Sequence, residues 1–182
     1  HRLHAGSHRI SGAYHSAAER GGQRRNGGAG YPSPLSRYPA AQVRREYALG
    51  RTRLDFAVDD PDAPHAPHLI EVKACTLVEH GVALFPDAPT ARGQRQLREL
   101  QQWPAASRTV LFAVMNPDDR VLVPNLHVDP ALSAALLAAA GQVRTAAVAL
   151  RVAADGRATV VGEVPVDVDR LTGLRMDSGC YL

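Results

Sequence analysis

The sequence predicts a mixed α/β fold from three features. Short alternating or apolar segments, separated by turn residues, come first in the chain and are typical of strands in hairpins. Residues 109–115 form a continuous apolar segment, which is typical of a buried central strand. Two segments that begin with the helix-capping residues Thr90 and Asp129 come later. We therefore expect a mixed sheet that is covered by the later helices.

The first three strands are predicted from apolar patterns between turn signals. Residues 42–47 and 53–58 have the pattern of two strands joined by a hairpin turn at 48–50. The acidic segment 59–67 contains three prolines and is predicted to be a loop. Residues 68–74, which include LIEVKA, are expected to form the third strand.

The first helix is predicted to follow Thr90, whose side chain can cap it, and to end near Trp103. Leu97, Leu100 and Trp103 recur at helical spacing. We expect these three side chains to face the core.

A second helix and a final hairpin complete the predicted elements. Asp129 is suited to cap the helix, Pro130 to its first turn and Gly141 to its end. Residues 143–152 and 158–164 then have the pattern of two antiparallel strands.

Charge separates the chain into two predicted parts. The formal net charge is +3, but residues 1–38 carry +5 and the remainder carries −2. Residues 1–38 are rich in Gly, Arg, His and Ser, so we predict a disordered basic tail before a single folded domain at 39–182. The basic balance of the whole chain therefore does not by itself indicate a nucleic-acid-binding domain.

Composition excludes several other classes of protein. No apolar segment approaches the ~18 residues of a membrane helix, and the polar first residues do not resemble a secretory signal. Two distant cysteines, Cys75 and Cys180, exclude a disulfide framework and a four-cysteine zinc site. We expect a cytoplasmic protein with no membrane partner.

Lysine usage singles out one residue for chemistry. Of the 21 basic residues, 20 are arginine and one, Lys73, is lysine. Arginine cannot replace lysine where a compact ammonium or a tunable proton donor is needed. Lys73 is therefore the first candidate functional residue.

The residues around Lys73 predict a cation site. Glu71 and Lys73 alternate on one strand, so they share a face, and Asp55 can project from the same face of a neighbouring strand. Two converging carboxylates suit a hard cation such as Mg²⁺, which can polarise a water beside the lysine. The competing interpretation is an ordinary Glu–Lys pair on a solvent-facing strand.

The order Asp–x(n)–Glu–x–Lys is also the minimal signature of the PD-(D/E)xK nuclease superfamily, although short signatures occur by chance. Three longer segments are more specific: RTRLDF at 51–56, EVKACTL at 71–77 and FPDAPTARG at 85–93. Over about residues 39–150 the sequence resembles the sugar fermentation stimulation protein A family.

The resemblance implies a restriction-endonuclease-like mixed sheet flanked by helices, binding to DNA, and hydrolysis of phosphodiester bonds with Mg²⁺ or Mn²⁺. On this basis Asp55 and Glu71 are expected to be metal ligands and Lys73 the catalytic lysine. Glu46 occupies the place of an acidic residue of the family and is a candidate third ligand. Arg53 and Arg92 are candidates to contact phosphate, on DNA or on RNA.

The sequence also departs from the family pattern. Arg95 and Gln96 stand where the family has Lys and His, and Thr52 replaces a usual Ser. Residues 1–38 do not resemble the family's N-terminal OB-like domain, so we expect weaker DNA binding.

Two further residues are predicted to have structural rather than catalytic roles. Arg95 is expected to pair with Glu99 on a solvated helix face, and Cys75 to be a buried structural thiol.

The sequence thus favours a metal-dependent nuclease, because clustered carboxylates would repel phosphate in a protein that only binds DNA. One alternative is a non-catalytic DNA-binding regulator linked to sugar (maltose) metabolism. Another is an inactive product that lacks the family's first domain.

Overall fold

The computed structural model describes residues 42–50, 52–60, 63–105 and 107–168. The predicted tail at 1–38 and Cys180 lie outside the described residues. No helix in the described part of the chain is long and apolar enough to cross a membrane.

A six-stranded mixed sheet forms the framework, with strand order β1-β2-β3-β6-β8-β9. The central pairs β3–β6 and β6–β8 are parallel, and the outer pairs β1–β2, β2–β3 and β8–β9 are antiparallel. The strands of this sheet are β1 (Val43–Leu49), β2 (Thr52–Asp60), β3 (Ala63–Cys75), β6 (Ser107–Val114), β8 (Arg144–Val152) and β9 (Ala158–Val164).

A second, three-stranded sheet has the order β4-β5-β7. It is composed of β4 (Leu77–Glu79), β5 (Val82–Phe85) and β7 (Val121–Pro124). Because β4 follows β3 almost directly, this small sheet continues the chain past the carboxyl end of β3.

Two helices have the capping residues that the sequence predicts. Helix α1 (Ala91–Gln102) begins at Thr90, whose hydroxyl accepts a hydrogen bond from the Gly93 backbone N–H. Helix α2 (Pro130–Ala139) begins at Asp129, whose carboxylate accepts from the Leu132 N–H. These side chains satisfy backbone donors that would otherwise lack partners at the helix starts.

Most of the apolar core lies between the large sheet and the two helices. Phe112 of β6 is 1% exposed, and its ring centroid lies 5.0 Å from that of Phe85. Leu97 and Leu100 of α1 and Leu132 and Leu136 of α2 belong to the same buried cluster. The predicted fold class, a mixed sheet flanked by helices, is confirmed.

Some of the predicted elements are wrong in detail. The loop predicted over 59–67 is wrong at both ends, because residues 59–60 belong to β2 and residues 63–67 begin β3. The two prolines in 63–67 are compatible with a strand, since they lie ahead of the parallel pairing with β6, which begins at His68. Trp103 is 39% exposed rather than buried, since it follows the last turn of α1. Strands β4, β5 and β7 were not predicted, because segments of three or four residues give little periodicity.

Candidate active site

The site lies where β2 and β3 separate. Their paired residues end at Phe56 and Ile70, so Asp55 and Glu71 are the next positions on the two strands. Asp55 Oδ2 accepts a hydrogen bond of 2.7 Å from the backbone N–H of Val72. The Asp55 side chain is thus hydrogen-bonded to the backbone of β3, and this contact holds Asp55 beside Glu71.

Glu71 and Lys73 form a contact on one face of β3, as strand alternation predicts. Lys73 Nζ donates to Glu71 Oε1 at 2.6 Å. Glu71 is only 5% exposed, and its other oxygen, Oε2, is buried without a hydrogen-bond partner. The interpretation as an ordinary surface pair is therefore wrong, because a solvated glutamate would have water at both oxygens.

Gln96 of α1 is the second acceptor for Lys73 and has no role in the sequence-based assignment. Its Oε1 accepts from Lys73 Nζ at 2.7 Å, and the residue is 5% exposed. One sequence signal could have found it: a glutamine stands beside Leu97 on the buried face of the helix, where an apolar side chain is usual.

Burial raises the pKa of the Asp55 carboxyl, and the nearby charge of Glu46 adds to this effect. The Val72 N–H and the positive charges of Lys73 and Arg92 act in the opposite direction without cancelling it. The site therefore favours added positive charge.

The pKa of Glu71 is also raised, chiefly by burial and further by the charge of Asp55. The Lys73 ammonium opposes this rise through its charge and its hydrogen bond. The charge of Lys73 thus offsets only part of the free-energy cost of keeping two neighbouring carboxyl groups ionised.

Glu46 lies on β1 at the position that would pair with Asp55. The observed β1–β2 pairing runs from Arg45–Phe56 to Tyr47–Leu54 and omits this pair. Glu46 is exposed and has a φ of 49°, a conformation that glutamate seldom adopts. Within the described residues no group of three or more His, Cys, Asp or Glu side chains could hold a metal ion, so the third-ligand role of Glu46 stays a prediction.

Exposed arginines border the carboxylates. Arg53 lies two residues before Asp55, and Arg92 is in the first turn of α1. Arg92 is close enough for its charge to lower the pKa of Asp55. In the part of the chain that the structure describes, no ion pair joins Arg95 to Glu99, so the pairing predicted for them is wrong.

A cavity of about 250 Å³ opens beside Lys73. The strand that carries the lysine forms one wall, and the loop between β5 and α1 forms the other. The cavity therefore offers space for part of a substrate next to Lys73. The lining includes Lys73, Pro86, Asp87, Ala88, Pro89 and Thr90.

The predicted role of Cys75 as a buried structural thiol is confirmed. It is 1% exposed, its thiol donates to the Leu84 carbonyl at 3.3 Å, and burial raises its pKa to about 12. The thiolate form needed for nucleophilic chemistry is therefore disfavoured.

The fold and the site together define a mixed α/β domain whose central sheet presents a buried glutamate, a half-buried aspartate and a lysine at the point where two strands separate. A family model described as the sugar fermentation stimulation protein RE domain matches residues 30–156. The chain therefore belongs to the sugar fermentation stimulation protein family, and the resemblance predicted from its motifs is confirmed.

Individual relatives agree with this assignment. A sugar fermentation stimulation protein homolog of Thermotoga neapolitana is 40% identical over 97 residues, which cover 53% of this chain and 41% of the relative. The homolog of Methanothermobacter thermautotrophicus is 43% identical over 97 residues, 51% of this chain and 38% of the relative. The chain thus spans less than half the length of these curated relatives.

A solved structure has a similar fold. The structure of Pyrococcus furiosus SfsA in complex with Ca²⁺ superposes with a TM-score of 0.61 at 26% sequence identity. The match covers 69% of this chain and 54% of the Pyrococcus chain. The matched part of this chain therefore has the same fold as the corresponding part of the Pyrococcus protein.

Proposed function

We propose that the site formed by Asp55, Glu71 and Lys73 hydrolyses phosphodiester bonds of DNA, or of RNA, in the cytoplasm with Mg²⁺ or Mn²⁺ as cofactor. One observation carries this proposal. Two carboxylates from adjacent strands and the only lysine of the chain meet at one point, beside an open cavity. Such a combination suits hydrolysis at a phosphorus centre better than it suits simple binding of an anion.

The donor atoms fit a divalent cation. Glu71 Oε2 is buried without a partner, and one oxygen of Asp55 remains after the bond to Val72. Carboxylate oxygens are the ligands that Mg²⁺ prefers, and the related Pyrococcus protein was solved in complex with Ca²⁺. Asp55 and Glu71 would hold the cation, with Glu46 as the candidate third ligand. The cation would activate water and stabilise charge on the phosphodiester.

The remaining residues act on the substrate itself. Lys73 lines the cavity, and its Nζ, which Glu71 holds in place, is suited to donate a hydrogen bond to a phosphate oxygen or to orient a water. The exposed guanidinium groups of Arg53 and Arg92 are suited to bind neighbouring phosphates. These contacts would keep the polyanion in place although carboxylates repel it.

A cleavage assay tests the proposal. Purified protein is incubated with labelled single- and double-stranded DNA and RNA in Mg²⁺, Mn²⁺ or EDTA. We expect cutting that requires the metal and that Lys73→Ala abolishes, because the variant lacks the ammonium that contacts the reacting group. Arg157→Ala, on an exposed hairpin between β8 and β9, is the control and should cut like wild type. Full cleavage by a folded Lys73→Ala variant would contradict the assignment.

A second candidate function is DNA binding without cleavage, as in a regulator of sugar metabolism such as maltose use. The exposed guanidinium groups of Arg53 and Arg92 favour it, and the relatives are named for stimulation of sugar fermentation. In the same assay, DNA that is bound but left intact in every metal would support this candidate over the nuclease. Neither binding nor cutting would favour a chain that is inactive without the rest of its relatives' length.

A further inference from the structure

Gln96 is a buried amide on an otherwise small or apolar helix face. The buried residues of α1 are Gly93, Gln96, Leu97 and Leu100. An amide without a hydrogen-bond partner is costly in such a setting, so a glutamine there needs one. The partner is the Lys73 ammonium, which donates to Gln96 Oε1 at 2.7 Å.

Two acceptors from different elements hold the Lys73 ammonium. Glu71 Oε1 lies 2.6 Å away on the same strand, and Gln96 Oε1 lies 2.7 Å away on the helix. These contacts fix the end of a side chain that otherwise has several rotatable bonds. The side chain of Lys73 remains 20% exposed, and Lys73 is one of the residues that line the cavity.

Because the side chain of Gln96 is uncharged, its role as an acceptor for Lys73 differs from that of Glu71. Glu71 is proposed to bind the cation through Oε2, and a carboxylate with a cation on one oxygen carries less negative charge on the other, so Oε1 becomes a poorer acceptor for the Lys73 ammonium. The amide of Gln96 has no such competition, because neutral amides bind cations less strongly than carboxylates do. It also adds no further negative charge beside Asp55 and Glu71, whose pKa values are already raised.

We propose that Gln96 is a positioning residue that keeps the Lys73 ammonium at the reactive centre whether or not Glu71 is engaged by a cation. The inference rests on the proposed function for its role in the reaction. The contact with Lys73 can be tested without any activity.

The lysine content of the chain makes that test direct. Since Lys73 is the only lysine of 182 residues, protein labelled with ¹⁵N-lysine gives one side-chain ammonium signal in NMR spectra. We expect the ammonium hydrogens of the wild type to exchange slowly with water. Gln96→Leu should accelerate this exchange at least about tenfold, because one charged hydrogen bond is lost. Gln96→Glu retains an acceptor oxygen and should keep the exchange slow.

Kinetics test the role in the reaction. In Gln96→Leu we expect kcat to fall by about tenfold to a hundredfold with KM nearly unchanged, since substrate still meets the same arginines. Gln102→Leu makes the same substitution at an exposed position of the same helix and should leave both constants unchanged.

The outcomes separate the two proposals. Wild-type exchange rates or wild-type kcat in a folded Gln96→Leu variant would overturn the role of Gln96. If the wild type cuts no substrate in any metal, the proposed function fails. The hydrogen exchange of the Lys73 ammonium group still tests the contact between Lys73 and Gln96 in that case. Circular dichroism checks the fold, and Gln96→Met, which is closer in shape, replaces the leucine variant if that variant does not fold.

Discussion

The position of Asp55 is set by a hydrogen bond between its side chain and the backbone of the neighbouring strand. Its Oδ2 accepts from the Val72 N–H, so its position depends on the strand that carries Glu71 and Lys73. The carboxylate is thereby placed without the conformational freedom of a surface aspartate. A carboxylate fixed in this way is what the proposed cation site requires.

Asp55→Asn separates the charge of this residue from its structural bond. The asparagine oxygen can still accept from Val72, so we expect the free energy of unfolding to change by less than about 1 kcal/mol. Affinity for Mg²⁺ or Ca²⁺ should fall about a hundredfold, because one of two carboxylate ligands is lost. Titration calorimetry measures this. Asp59→Asn, whose aspartate pairs with Arg44, is the control, and an unaltered titration in Asp55→Asn would argue against ligation.

Asp129 acts at the scale of elements, because it joins the starts of both helices. Its carboxylate accepts from the Leu132 N–H of α2 and from the Thr90 N–H before α1, each at 2.9 Å. Gln94 donates to the same carboxylate at 3.1 Å. Since α1 carries Gln96, this buried aspartate helps to set the distance between the helix and Lys73.

Asp129→Ala should lower the free energy of unfolding by about 2–4 kcal/mol at pH 7, because a cap and a contact between the helices are lost together. Burial disfavours the charged carboxyl, but the hydrogen bonds outweigh it and lower the pKa of Asp129 below the ordinary 3.8. The aspartate therefore stabilises the fold above pH 3.8, and this effect is lost as the pH falls through the lowered value.

Urea unfolding between pH 7 and pH 2 measures both effects of Asp129→Ala. The difference from wild type should be constant down to about pH 4 and then shrink. The exposed Asp118→Ala is the control. A stability difference that does not depend on pH would contradict the role of the charged carboxylate.

At the scale of the whole molecule, the positions of the charged side chains matter more than the net charge. Residues 39–182 carry a net charge of −2, so this part of the chain does not attract nucleic acid through its overall charge. The exposed arginines Arg53 and Arg92 instead place positive charge at the rim of the acidic site. The nucleic-acid binding proposed for this surface would therefore depend on a few phosphate contacts.

Arg92→Ala should therefore weaken DNA binding equally for different sequences. If Arg92 contacts one phosphate, the slope of log affinity against log salt concentration should decrease by about 0.9. Fluorescence anisotropy at several salt concentrations, in Ca²⁺ in place of Mg²⁺, measures it. Arg157→Ala, which removes an arginine from a distant hairpin, should leave the slope unchanged. An unchanged slope in Arg92→Ala would remove Arg92 from the interface.

Local patterns predicted the strong elements and missed the weak ones. Both helix starts follow from the capping chemistry of Thr90 and Asp129, which operates within three residues of chain. The strand at 158–164 follows from its pattern alone. By contrast, β7 is stabilised by parallel pairing with β5, a partner far away in sequence, and no local signal reveals such a contact.

The sequence by itself determined the fold class and the family, and it predicted three residues of the candidate site, Asp55, Glu71 and Lys73. It could do so because strand alternation fixes which side chains share a face, and the family's longer motifs are specific. Only the tertiary structure decided that Glu71 is buried with an unpaired oxygen, that Asp55 is bound to Val72, and that Gln96 holds Lys73. These facts depend on how β2, β3 and α1 pack, since burial and contacts between separate elements are properties of packing that no local pattern specifies.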